Sequence, residues 1–248
     1  MSIVVMEVEQ MVAKALKAAE AFKGFTQEQV DRISEAMTTA GVANARTLAE
    51  LAVEETGIGN VDDKVIKNTF GTEVVFDYMK HKKSVGIIDD RNGLLTIAEP
   101  YGVIAAITPV TNPSATTMFK ILIALKGRNV VCLAFHPKAQ HCSAAAAQIM
   151  LDAAVAAGAP ANCIQWIKNP SIEATDALMK HRGVALIIAT GGAAMVKAAY
   201  SSGHPALGVG PGNVPVYIEK TAKLDMAIPD IIASKTFDNG TICSSDQL

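Results

Sequence analysis

The chain has 248 residues, of which 50% are hydrophobic and 19% charged, and its formal net charge is −2. Such a chain can bury a sizeable core and holds one large domain or two ordinary ones. Its near-neutral balance excludes the strongly basic signature of nucleic-acid binders and any global attraction to an anionic membrane.

Residues 1–10 carry Glu7 and Glu9 and lack a basic start followed by a long apolar core, so no signal peptide is expected. Val8, Met11, Val12, Ala15, Leu16 and Ala19 recur at helical spacing. Thr26 followed by Gln29 predicts a capping box that opens a second helix, which Gly41 would stop. Leu48, Leu51 and Ala52 mark a third helix ending near Gly57. A fourth spans Asp62 to His81, with Val65, Phe70, Val74 and Met79 on or near one stripe. The period then changes. Ser84 to Asp89 and Leu94 to Glu99 read as two extended strands around the turn Asp90-Arg91-Asn92-Gly93.

From Tyr101 onward the chain alternates. Gly102 to Ile107 is a buried strand by composition, Ser114 to Lys126 a helix, and Asn129 to Phe135 a strand. Ala139 to Ala157 is an Ala-rich helix ended by Gly158. Cys163 to Ile167, Val184 to Ala189 and Val214 to Ile218 follow as strands, with helices at Ile172 to His181 and Ala193 to Ser201. A last helix covers Leu224 to Thr236, where Pro229 must kink it or mark its first turn. Short Val/Ile-rich runs separated by helices imply crossover units and a parallel sheet covered on both faces. Apolar runs are too short, or too broken by Gly and Pro, to span a bilayer.

Four loop segments carry the residue types that chemistry needs, and each also has a plain structural explanation. In Thr108-Pro109-Val110-Thr111-Asn112-Pro113, prolines hold the loop stiffly and Asn112 could present an N–H to an oxyanion; a Pro/Asn turn without ligand looks the same. In Ala189-Thr190-Gly191-Gly192, glycines between a strand and a helix let backbone N–H groups approach a phosphate, although steric turns use glycine too and GxGxxG is absent. Gly208-Val209-Gly210-Pro211-Gly212-Asn213 suits close approach of a ligand, or a crowded turn. The fourth segment holds Cys243, behind Phe237-Asp238-Asn239-Gly240-Thr241-Ile242 and before Ser244-Ser245. A lone cysteine is usually a small buried apolar residue, but this loop favours access. The other cysteines, Cys132, Cys142 and Cys163, fall in predicted strands or helices and are read as packing residues. No two of the four form a CxxC pair, so neither a metal site nor a disulfide scaffold is expected, and a reducing cytoplasm is the natural compartment.

Taken together and in this order, these segments resemble the aldehyde dehydrogenase superfamily, specifically its CoA-acylating branch. The likeness is densest from Ile97-Ala98-Glu99-Pro100-Tyr101-Gly102 onward. Thr111-Asn112-Pro113, Ala189-Thr190-Gly191-Gly192, Met195 to Gly203 and Ser234 to Gly240 are similar to the aldehyde-oxidising half of bifunctional aldehyde–alcohol dehydrogenases. The resemblance implies a Rossmann-like, doubly wound parallel sheet with a helical N-terminal region, the N-terminal half of that fold. It divides the chain into a helical part of the cofactor-binding domain (1–83), strands of an oligomerisation arm (84–100), the dinucleotide-binding core (101–220) and the start of the catalytic domain with the cysteine loop (221–248).

The resemblance also implies roles. Cys243 matches the nucleophile and Asn112 the oxyanion-hole asparagine. Contacts to NAD fall to Thr108, Pro109, His136, Pro137, Thr190, Gly191, Gly192, Gly208, Val209 and Gly210, with Gly191 and Gly192 near the pyrophosphate. Coenzyme A is the implied co-substrate, a short aldehyde the substrate, and a homo-oligomer the full-length state, with no nucleic-acid or membrane partner.

Two departures from the hydrolytic branch bear on chemistry. Hydrolytic members carry Glu-Leu-Gly-Gly-Lys where this chain has Gly208-Val209-Gly210-Pro211-Gly212, so the water-activating glutamate has no counterpart. They also carry Lys-Pro-x-Glu at the adenosine ribose, where this chain has His136-Pro137-Lys138-Ala139, which leaves NAD against NADP open. Family members continue for about another domain beyond the cysteine. The 248-residue chain is therefore expected to be inactive alone. Acetaldehyde is the default substrate, with sulfoacetaldehyde an alternative. A dinucleotide-binding module without turnover and a scaffold that keeps the fold for assembly are the competing classes.

Overall fold

In the computed structural model, which describes residues 2–247, the chain begins with α1 (Ile3–Lys23), opened by the Ser2 hydroxyl accepting from the Val5 N–H. Its stripe of Val8, Val12, Ala15 and Phe22 is buried in the same core as the central sheet. The predicted capping box of Thr26 and Gln29 opens α2 (Gln27–Ala43). Gly41 does not stop that helix. It lies inside it, buried, where a Cβ would come within 2.7 Å of Thr72 Cγ2. Its lack of a side chain serves helix packing. Gly57, at φ 66°, does end α3 (Ala45–Thr56), as expected.

The fourth predicted helix is continuous but not uniform. α4 (Val61–Thr69) passes through a π-helical turn (Phe70–Val74) into α5 (Val75–Met79). Gly71 in that turn permits contact with α6 (Pro113–Lys126), since a Cβ there would lie 2.9 Å from the Ala115 carbonyl oxygen. β1 (Gly86–Arg91) and β2 (Leu94–Ala98) form an antiparallel hairpin. Its turn is shorter than expected: Asp90 and Arg91 belong to the strand. Asn92 and Gly93, at φ 54° and 76°, make the two-residue reversal that a hairpin twist favours. The hairpin's Ile87, Leu94 and Ile97 are exposed.

Five parallel strands follow: β3 (Val103–Ile107), β4 (Val130–Ala134), β5 (Ile164–Trp166), β6 (Leu186–Thr190) and β7 (Ala206–Val209). They lie in the order β5-β4-β3-β6-β7. β3 and β4 are buried along their whole length, as their apolar runs require. α6 and α7 (Gln140–Ala156) pack with α2 beside β4 and β5, and α1 and α8 (Ile172–Met179) pack beside β3. α9 (Ala193–Tyr200) carries β6 over to β7. The sheet is doubly wound, as predicted, and strand order reverses between β3 and β6. Crevices at such a switch point, outside the carboxyl ends of the strands, are where ligands of this architecture bind.

The fifth strand is a correction. Gly208 and Val209, read as the start of a glycine-rich loop, instead close β7 (Ala206–Val209), whereas the predicted strand at Val214 to Ile218 shrinks to β8 (Val214–Pro215). β8 pairs outside the main sheet with β9 (Asp246–Gln247). α10 (Leu224–Thr236) spans the predicted residues, with Pro229 in its interior and none of its residues buried. Among the described residues no helix is long and apolar enough to cross a membrane, and no three His, Cys, Asp or Glu side chains are grouped to hold a metal ion.

Candidate functional site

The carboxyl ends of the parallel strands β3, β6 and β7 bring three of the four predicted loop segments to one side of the sheet, and the end of β4 adds His136 there. Beneath them lies Lys120 on α6. Its ammonium donates to the Ile107 and Ile188 carbonyls, the latter at 2.9 Å, and so ties β3 to β6 at the switch point. Lys120 is 1% exposed, and burial lowers its pKa to about 7.

After β3, Thr108 is buried and its hydroxyl has no partner among the described residues, while its N–H donates to the Ala134 carbonyl. Asn112 takes the N-cap position of α6 with Pro113 behind it, but its side chain does not cap the helix. Its Oδ1 is buried without a hydrogen-bond partner among the described residues. That oxygen is an acceptor; the Nδ2 group of the same amide is the one that could donate to a ligand.

After β4, His136 opens a 3-10 turn (Pro137–Ala139), and its Nδ1 accepts from the Lys138 N–H. Burial, helped by the Lys138 charge, lowers its pKa. After β6, Gly192 is the N-cap of α9, with no side chain to satisfy the first N–H groups, and nothing lies within 4 Å of where its Cβ would be. The Gly191 N–H is already used, donating to the Val209 carbonyl. Gly208 and Val209 lie in β7 rather than in a loop, and the Gly208 N–H donates to the Tyr200 hydroxyl. An uncapped helix N-terminus after β6 and the orphaned Thr108 hydroxyl after the neighbouring β3 are the groups here that could hold a dinucleotide pyrophosphate.

Cys243 is exposed, in contrast to the three other cysteines, whose thiols burial pushes up to about 12. Its backbone is held from one side by Gly212, where a Cβ would fall 1.6 Å from the Cys243 carbonyl oxygen. The close approach predicted for the 208–213 glycines is, at Gly212, an approach to the cysteine itself. Asn112 and the neighbours of Cys243, Ile242 and Ser244, border one cavity of about 410 Å³. Ile66, Phe70, Val75 and Phe119 make its walls largely apolar, and no carboxylate lines it.

Sequence reasoning missed the groups that hold this loop. Asp238 is fully buried and forms ion pairs with Lys64 (3.2 Å) and Lys67, whose side chains are 3% and 7% exposed. It also accepts from the Asn60 N–H at 3.1 Å and the Thr241 hydroxyl at 2.9 Å. Burial alone would raise the Asp238 carboxyl, but Lys67, Lys64 and the Asn60 N–H outweigh it and hold it below the usual carboxylate value. Burial lowers the Lys67 amine. Asp238 and Asn239 both adopt left-handed backbone, at φ 50° and 56°. That conformation costs about 1–2 kcal/mol for an ordinary L residue, less for Asp and Asn. The available signal was a pair of lysines three apart on α4, which share one helix face.

The family model described as the aldehyde dehydrogenase family matches residues 3–248. Aldehyde-alcohol dehydrogenase 2 of Entamoeba histolytica is 53% identical over 244 residues, which is 97% of this chain and 28% of that protein. The crystal structure of an acetylating aldehyde dehydrogenase from Geobacillus thermoglucosidasius superposes with a TM-score of 0.95 at 49% identity, over 98% of this chain and 54% of that one. A propionaldehyde dehydrogenase of Rhodopseudomonas palustris, solved with bound CoA and an acylated cysteine, gives a TM-score of 0.86 at 32% identity, over 96% of this chain and 55% of that one. The chain thus spans about half the length, or less, of these relatives.

Proposed function

This chain belongs to the aldehyde dehydrogenase family, and we propose that the protein carrying it oxidises a short, apolar aldehyde to its acyl-CoA through a thioester on Cys243. The observation that carries this reading is the cavity beside Cys243, which joins an asparagine side chain not spent on capping its helix to apolar walls and offers no carboxylate base.

The Cys243 thiolate adds to the aldehyde carbonyl carbon, forming a C–S bond and an oxyanion. Asn112 donates a side-chain N–H to that oxyanion, acting where charge develops. The Gly192 end of α9 and the Thr108 loop would hold NAD(P), which would supply the hydride acceptor. Loss of hydride from the former aldehyde carbon would restore the carbonyl double bond and leave a thioester on Cys243. CoA, having lost its thiol proton to solvent, attacks that carbonyl as its thiolate; the acyl group moves to CoA and the Cys243 sulfur departs as thiolate. Water is a poor competitor because it needs a positioned base. The buried carboxylate of the cysteine loop, Asp238, is paired with two lysines and already accepts four hydrogen bonds. The R. palustris relative, with its acylated cysteine and bound CoA, supports the same sequence of events.

The walls support acetaldehyde over sulfoacetaldehyde. A sulfonate asks for a free cation, and the lining cation, Lys67, is engaged by Asp238.

The test is a burst experiment on the intact protein with acetaldehyde and NAD. NADH formation is expected to stall after about one turnover per site and resume on addition of CoA, since loss of a general base slows hydrolysis by about 10²–10⁴. Sustained CoA-independent formation of acetate would overturn the reading.

A further inference from the structure

The lysine pair and Asp238 lie outside the chemistry just described, yet they connect its two halves. The Lys64 ammonium donates to Asp238 Oδ2 at 3.2 Å and also to the Thr111 carbonyl at 3.2 Å. Thr111 is bonded directly to Asn112, and Asp238 sits in the loop that leads to Cys243. One buried charge therefore holds both the oxyanion-side loop and the cysteine loop.

We propose that Lys64, together with Lys67 and Asp238, is a positioning clamp that sets the Asn112 amide against Cys243. The inference rests on the reading of those two residues given above. Three further observations fit a device that fixes position. The left-handed backbone of Asp238 and Asn239 is unfavourable in isolation and persists only where surrounding contacts over-determine it. Those contacts come from every side: the two lysines, the Asn60 N–H, the Thr241 hydroxyl and, on the Asp238 N–H, the Asp63 carboxylate at 2.7 Å. The loop before α4 also closes directly over the carboxylate. Gly59, at φ 74°, leaves room for it, since a Cβ there would stand 1.9 Å from Asp238 Oδ1. An ion pair serving stability alone needs no bond to Thr111. A clamp between two loops does.

The clamp acts through Asn112, so its effect must depend on Asn112. In the intact protein, Lys64→Met is expected to lower kcat by about 10–100-fold, because misplacement of a reacting group by about 1 Å costs about that much. Dinucleotide affinity should stay unchanged. In the Asn112→Ala background the same substitution should cost less than about threefold, because the amide it positions is gone. Thr241→Val, a milder change that keeps both lysines, should give a smaller loss with the same dependence. It guards against a Lys64→Met protein that does not fold. Equal losses in both backgrounds, or wild-type kcat in Lys64→Met, would overturn the clamp and leave the reading of Asn112 standing. Wild-type kcat in Asn112→Ala alone would remove that reading, and the clamp with it.

Discussion

Replacing Lys120 by Met should abolish a specific pH dependence of stability. In the folded chain the Lys120 pKa is lowered from 10.5 to about 7 by burial alone. Below pH 7 both the folded and the unfolded chain bind the proton, and above 10.5 neither does. Between these limits the unfolded chain binds about one proton more, so stability rises with pH. The slope approaches about 1.4 kcal/mol per pH unit and accumulates to about 5 kcal/mol across the window. The favourable contribution is complete above pH 10.5 and lost as pH falls through 7. Lys120→Met fills similar volume without the charge, but leaves the Ile107 and Ile188 carbonyls without a donor, at about 1–3 kcal/mol each. Near neutrality these effects oppose each other and the two proteins should be close in stability. By pH 10 the wild type should lead by several kcal/mol. Urea unfolding of both proteins from pH 7 to 10 measures the difference directly, since the other titrating groups cancel. A stability difference that stays flat over that range would show that Lys120 is charged in the fold, and would refute the reasoning.

Iodoacetamide at pH 8 should alkylate Cys243 well before Cys132, Cys142 or Cys163, because those three are buried with thiols pushed up to about 12. Peptide mapping that finds one of the three labelled first would contradict this. Asn112→Ala in the intact protein should lower kcat by about 10²–10³ with little change in dinucleotide affinity. Near-normal turnover would reduce Asn112 to a turn residue. Gly212→Ala, whose Cβ would collide with the Cys243 carbonyl, should slow turnover at least tenfold while leaving the dinucleotide bound as before, an effect read by kcat beside a fluorescence titration.

The parallel sheet was legible because β3 and β4 are continuous apolar runs, and only a strand covered on both faces tolerates those. The capping box at Thr26 was legible because its partners lie three residues apart. What escaped was decided at a distance. Gly41 has the identity of a helix stop, but Thr72 on another element makes it a packing position. β7 was hidden because Gly208 and the Gly-Pro-Gly after it resemble a turn, and only pairing with β6 makes Ala206–Val209 extended. At the site, Cys243 and Asn112 stood out by residue type and loop context. Asp238 did not, because its partners Lys64 and Lys67 are 174 and 171 residues away, and no local pattern announces that separation.

Gly208 limits how the reaction of such a chain can change over time. By the resemblance it matches the position where the hydrolytic members carry their glutamate, so a single codon change would supply an acid there in principle. The fold resists it. A Cβ at Gly208 would lie 2.7 Å from Val196 Cγ1 and 2.8 Å from the Tyr200 ring, and the Gly208 N–H is bonded to the Tyr200 hydroxyl. A carboxylate side chain there would require Val196 and Tyr200 on α9 to shift. On the proposed reading, a change from acyl transfer to hydrolysis at this position would thus involve α9 as well as residue 208.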